Sequence, residues 1–201
     1  MEYAALLMFV ISASITPGPN NLMLMASGLN HGVKRSIGHL LGVDIGFTLM
    51  VVAVGLGMAG VFTAFPQLHD VLKVVGTLYL LWLAWQIGSA PVDGIKLKDR
   101  KPFSFMQAAL FQWVNPKAWI MIVGAVATYT EAGSNYTWQV LQIALFFFVF
   151  GTPCTIVWLL FGTSLKRFIN TPGNLRLFNI SMALLLVASL LPGLLDLVMQ
   201  R

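Results

Sequence analysis

Two proline-interrupted apolar runs, one lysine and one aspartate are the residues of this sequence best placed to do chemistry. Thr16-Pro17-Gly18-Pro19-Asn20-Asn21 falls inside the apolar stretch Tyr3–Ala26. Two prolines remove backbone donors and clash with preceding carbonyls, so a regular helix cannot run through them. Within hydrocarbon, freed backbone groups persist only where protein, water or a ligand satisfies them. The expectation is two half-helices meeting at a cavity, one offering N–H donors to an anion and the other carbonyls to a cation. The competing reading is a static kink satisfied by Ser14, Thr16 and Asn20.

Asn115-Pro116-Lys117 repeats the pattern inside Phe105–Ala127. Lys117 lies about twelve residues into that run, close to mid-membrane at ~1.5 Å per residue. An ammonium there must face a polar interior, pair with an acid or lose its proton. Asp44, the only acidic residue well inside any apolar run, is its partner in kind. The two readings are a buried salt bridge and a site that meets substrate or carries protons. The breaks and the two charges together offer one cationic and one anionic subsite. The candidate substrate site is therefore Thr16, Pro17, Gly18, Pro19, Asn20, Asn21, Asp44, Gln112, Asn115, Pro116 and Lys117. Gly18 to Asn21 and Lys117 would hold an anionic group, and Asp44 with exposed carbonyls a cationic one. Asp44 is also the candidate proton carrier, because burial favours the uncharged acid.

Catalysis is the weaker option. His39 and Asp44, five residues apart, sit about 140° apart on a helix and share no face. No nucleophile or metal-ligand cluster accompanies them, so neither enzyme activity, a metal nor a cofactor is expected. His39 reads as an interfacial polar residue. Cys154, the single cysteine, permits no intrachain disulfide and reads as packing. Gly151-Thr152-Pro153 marks a further kink, and Gly42, Gly46, Gly55, Gly57, Gly60 and Gly76 read as close-packing surfaces.

The elements that must carry these groups follow from composition. Of 201 residues, 58% are hydrophobic and 9% charged, against roughly 25% charged in soluble domains. The runs Tyr3–Ala26, Ile37–Val61, Val71–Ile87, Phe105–Ala127, Trp138–Phe161 and Phe178–Met199 are each long enough for a transmembrane helix. They lack the dyad alternation of a barrel. The expectation is an all-α integral membrane protein, one domain over residues 1–201 with six transmembrane helices, helices 1 and 4 interrupted. The first run lacks a basic leader and is read as an uncleaved helix. Nine basic residues, among them Lys34, Arg35, Lys96, Arg100 and Arg176, fall in the connections after runs 1, 3 and 5. By the positive-inside rule both termini face away from the cytoplasm. The polar segment Ser89–Ser104 divides halves at about 1–88 and 105–201, and three helices per half is the arithmetic of an inverted-topology repeat. Internal likeness around Pro19 and Pro116 is weak. The net charge of +5 resides mainly in loops, a topology signal that gives no reason to expect nucleic acid. Tyr3, Trp85, Tyr136 and Trp138 lie near the expected membrane boundaries.

Taken together, Thr16–Asn21, His31-Gly32, Gly42 with Asp44, the string from Gly76 to Gln86 and Asn115-Pro116-Lys117 resemble the LysE/RhtB superfamily of bacterial inner-membrane amino-acid exporters. The likeness spans most of the chain, and the doubled asparagine looks most like the branch exporting cysteine and O-acetylserine. The resemblance implies proton-coupled efflux of small amino acids, with protons and membrane lipid as partners. One intramembrane aspartate suits neutral substrates better than dicationic ones. A homodimer is compatible with the glycine-rich faces. A passive channel and a lipid-binding interaction protein are the alternatives.

Overall fold

A computed structural model describes residues 2–58, 78, 81–82, 84–85, 87–89, 101–131, 135–165, 167–169 and 171–188. Its helices are α1 (Tyr3–Ile15), α2 (Pro19–Ala53), α3 (Phe105–Phe111), α4 (Pro116–Tyr129), α5 (Tyr136–Phe146), α6 (Thr152–Leu165) and α7 (Pro172–Ala188). A tight turn, Gln112–Val114, separates α3 from Asn115 and α4. The wide turn Phe147–Gly151 joins α5 to α6, beside the kink expected at Pro153. Described residues between 78 and 88 are helical, and no strand occurs among the described residues.

α2 is a hairpin. Ser27 Oγ and Ser36 Oγ lie 3.0 Å apart, whereas nine residues of straight helix would separate them by about 13 Å. The reversal occurs at Gly32, whose φ of 76° favours glycine. Its arms are residues 19–31 and 33–53. The expected gap between Ala26 and Ile37 is therefore filled: Asn30, Lys34 and Arg35 end the apolar runs but are compatible with helix.

Glycines set the spacing of the bundle. A Cβ on Gly28 would collide with Leu159 O of α6, and one on Gly162 with Met25 O of α2. Gly42 lies against Phe105 O, and a Cβ on Gly46 would come within 2.5 Å of Ala109 Cα, so the second arm meets α3 backbone to backbone. Gly55 packs on Val140. Gly57 does not fit the packing expectation. It has φ 139°, and a Cβ placed on it would meet nothing within 4 Å, so its role is conformational. Gly60 and Gly76 lie outside the described residues.

The interior is apolar, with Leu6, Val10, Met50, Ile122, Ile143 and Phe147 in its largest cluster. The exterior is apolar as well, with Met8, Leu49, Ile120, Leu145 and Leu184 exposed. Helices hydrophobic on both faces suit a lipid surround. His39 departs from the interfacial expectation: it is 0% exposed, its ring lies 5.3 Å from that of Phe103, and neither ring nitrogen has a hydrogen-bond partner among the described residues. The second arm of α2 starts at residue 33, so the chain is already nearly two turns into the bundle at His39.

Candidate substrate site at the helix breaks

α1 ends at Ile15, Thr16 is extended (φ −63°, ψ 143°), and α2 begins at Pro19 after an extended Gly18. A helix that stops inside a bundle leaves its last carbonyls without donors. Here side chains supply them. Thr16 Oγ1 donates to Ala13 O at 2.8 Å, and Asn21 Nδ2 to Ser14 O and Thr16 O at 2.7 and 2.8 Å. Trp158 Nε1 donates to Ile15 O at 3.0 Å. Lys117 Nζ reaches Thr16 O at 2.7 Å, Thr16 Oγ1 at 2.8 Å and Pro17 O at 3.4 Å. Cationic charge at a helix C-terminus complements the helix dipole. The N-terminus of α2 is left open: Gly18 gives no side-chain cap, and the first-turn N–H groups of Asn20 and Asn21 have no intrahelical acceptor.

The second break is built differently. Asn115 (φ −86°, ψ 109°) caps α4, its Oδ1 accepting from Lys117 N at 3.1 Å, and Pro116 occupies the first helical position, where its missing donor costs nothing. Trp119 Nε1 donates to Trp113 O across the break at 2.9 Å. The two breaks are tied together by paired amides. Asn20 Nδ2 donates to Gln112 Oε1 at 2.8 Å, Gln112 Nε2 donates to Asn20 Oδ1 at 3.1 Å, and Gln112 Nε2 also donates to Ala108 O at 2.8 Å. Gln112→Leu leaves the Asn20 amide without this partner, which is expected to slow transport about 3- to 10-fold. Asn20→Ala combined with Gln112→Leu should cost little more than either change alone. Additive losses in initial rate would show that the pair does not act as one unit.

Asp44, 7% exposed, faces Thr155 of α6, with Thr155 Oγ1 3.0 Å from Oδ1 and 3.2 Å from Oδ2. The same hydroxyl lies 2.8 Å from Thr152 O. These oxygens fit two protonation states. An ionised Asp44 accepts the Thr155 proton; a neutral Asp44 donates to Thr155, whose own proton then goes to Thr152 O. No ion pair joins Asp44 to Lys117 among the described residues: the carboxylate faces Thr155 and the ammonium faces Thr16 and Pro17. The buried salt bridge weighed from sequence is not the arrangement seen.

Asp44 and Lys117 nevertheless line one cavity, with about 500 Å³ of atom-free space including its open mouth. Gly18, Asn20 and Asn21 contribute from the first break, and Asn115, Lys117, Ala118 and Met121 from the second. Val43, Asp44 and Phe47 come from the second arm of α2, and Ala13 and Ser14 from α1. Phe147, Gly151 and Thr155 line it at intervals of four along the wide turn and α6. Of the residues expected to bind substrate, Thr16, Pro17, Pro19, Gln112 and Pro116 are not in its wall. Thr16, Pro17 and Pro116 are exposed, Pro19 starts α2, and Gln112, 0% exposed, is hydrogen-bonded to Asn20. The wall also holds Ala13, Ser14, Val43, Phe47, Ala118, Met121, Phe147, Gly151 and Thr155, which lie outside the expected site. The four-residue spacing of Phe147, Gly151 and Thr155 was the available signal. Cys154 is buried and contacts Phe150 O, as a packing residue does.

A family model described as the LysE type translocator matches residues 11–191. The chain belongs to the LysE-type translocator family. Membership makes it a multi-pass membrane translocator and not an enzyme. Its relatives include the cysteine/O-acetylserine efflux protein of Salmonella paratyphi A, 31% identical over 188 residues, covering 93% of this chain and 94% of the relative. The protein of the same description from Escherichia coli is 30% identical over 182 residues, covering 89% of this chain and 90% of the relative. No solved structure matches. The resemblance read from the proline breaks, Asp44 and Asn115-Pro116-Lys117 was to this same family.

Proposed function

We propose that this translocator exports small neutral amino acids across a bacterial cytoplasmic membrane in exchange for protons. The observation that carries the reading is one cavity walled by an anionic and a cationic group that do not neutralise each other, Asp44 and Lys117. The efflux relatives, similar over nearly their whole length, support the substrate class.

The substrate ammonium sits against ionised Asp44, beside Thr155. Its carboxylate takes the open N–H groups at the start of α2 and the Asn115 amide, whose Nδ2 has no protein partner among the described residues. Lys117 has its donors on Thr16 and Pro17, so it acts by ordering the break and placing positive charge beside Gly18. One carboxylate cannot hold an ammonium and a proton at full strength together. Proton binding at Asp44 weakens substrate binding and the reverse, as linkage requires, which is the elementary coupling of an antiporter. The arrangement proposed around the site is six spans in two oppositely oriented three-helix halves, helices 1 and 4 broken, both termini outside the cytoplasm. Alternate exposure of the cavity follows from motion between inverted repeats.

Counterflow of labelled alanine and serine into proteoliposomes tests the function. Saturable uptake, driven further by a proton gradient of the appropriate sign, is the expected result. Flux that neither saturates nor responds to the gradient would instead indicate a passive channel.

A further inference from the structure

The cavity wall also holds a contact, Gly151 against Ser14, that recognition of the substrate's ammonium and carboxylate leaves unused. A Cβ built on Gly151 would lie 3.2 Å from Ser14 Oγ and 3.8 Å from Ser14 Cβ, with no other atom within 4 Å. Gly151 thus brings the start of α6 into close approach with the Ser14 hydroxymethyl of α1, with room for a carbon only if Ser14 gives way. Both residues line the cavity. The wide turn Phe147–Gly151 places Gly151 in the wall one turn from Phe147 and one turn before Thr155, and such turns recur at functional sites.

The contact has a definite chemistry. Among the polar side chains of the cavity wall, Asn20 is paired with Gln112, Thr155 with Asp44, and Lys117 with Thr16 and Pro17. The Ser14 hydroxyl has no hydrogen-bond partner among the described residues. A free hydroxyl both donates and accepts. The same cavity is lined by Ala13, Phe47, Phe147 and Met121, and Asp44 and Lys117 are the charged residues of its wall among the described residues. An uncharged polar group on a short side chain fits this surround. A charged one would be desolvated without a partner.

We infer that Ser14 and Gly151 form the side-chain subsite, which selects short substrates carrying an uncharged hydrogen-bonding group over purely aliphatic ones. This rests on the amino-acid exporter reading above. The subsite sets which amino acid is preferred, while Asp44 and the α2 N-terminus recognise the groups common to all.

The test is the ratio of kcat/KM for serine to that for alanine, measured by counterflow in proteoliposomes of the parent, Ser14→Ala and Gly151→Ala. Ser14→Ala removes one atom and creates no clash. It is expected to lower the ratio about 2- to 10-fold, the worth of one neutral hydrogen bond. Gly151→Ala presses on Ser14 Oγ and displaces it, and should lower the ratio by about 10-fold, the discrimination that one misplaced methyl group produces. A parental ratio in both variants, whatever their absolute rates, overturns the subsite. A parent that exchanges neither amino acid overturns the exporter reading itself, a result distinct from an unchanged ratio in an active protein.

Discussion

Asp44→Asn is expected to lower kcat/KM for amino-acid counterflow by about 100-fold or more, because removing one partner of a desolvated charge pair commonly costs about 2–5 kcal/mol. The amide keeps the shape of the carboxylate and can still bond to Thr155 Oγ1, now 3.0 Å from Oδ1, so the fold should survive. What it cannot do is hold an ammonium by charge or exchange a proton. Residual flux in Asp44→Asn should therefore lose its response to an imposed pH gradient. The sign follows from the competition at the one carboxylate. In the parent, acidifying the side to which substrate is released should hasten release, and acidifying the loading side should slow loading. Asp44→Asn transporting at the parental rate, with its pH response intact, would remove Asp44 from the mechanism. Thr155→Val should show a milder loss, since it removes one hydrogen bond and leaves the charge.

Lys117→Met should cost both stability and transport. The ammonium satisfies Thr16 O and Pro17 O, and the stem packs against Gly18, where a Cβ would come within 2.7 Å of Lys117 Cδ. Methionine preserves most of the stem but strips the cation from the end of α1. Hydrogen bonds to charged groups contribute about 1.5–3 kcal/mol each. Lys117 is only partly buried, and screening brings the expected loss of stability to about 2 kcal/mol in total. Transport should fall by about 10-fold or more, because the disordered break no longer presents the α2 N-terminus. Lys117→Arg should not restore it, since a planar guanidinium does not reproduce the converging contacts of Nζ on Thr16 O, Thr16 Oγ1 and Pro17 O. Thermal unfolding in detergent and counterflow together check this. A stable, fully active Lys117→Met would mean that the break orders itself without the lysine.

How much of this was legible follows from the kind of residue involved. Proline acts on its own backbone, so the ends of α1 and the start of α4 could be placed from Pro17, Pro19 and Pro116 alone. Asp44 and Lys117 were legible because a charge in an apolar run needs a reason. Thr155 was not, because a threonine in a helix is ordinary until an aspartate 111 residues away meets it. Gln112 reads in the sequence as a polar residue free to line a cavity, and only tertiary structure shows that Asn20 occupies its amide. His39 was misjudged because hydropathy ended the apolar run at Lys34 and Arg35, while the helix and the bundle continue around them. Gly28 and Gly162 were passed over because a close-approach glycine has meaning only with its partner, and each partner is a backbone carbonyl on the other helix.

That seam changes how the molecule can be cut. Gly28 lies before the polar segment that divides the sequence and Gly162 after it, and Gly42 and Gly46 meet α3 across the same divide. The two sequence halves are therefore spliced in space like the fingers of clasped hands. Either one made alone would carry grooves shaped for a missing neighbour, so neither half of the chain is a self-contained body.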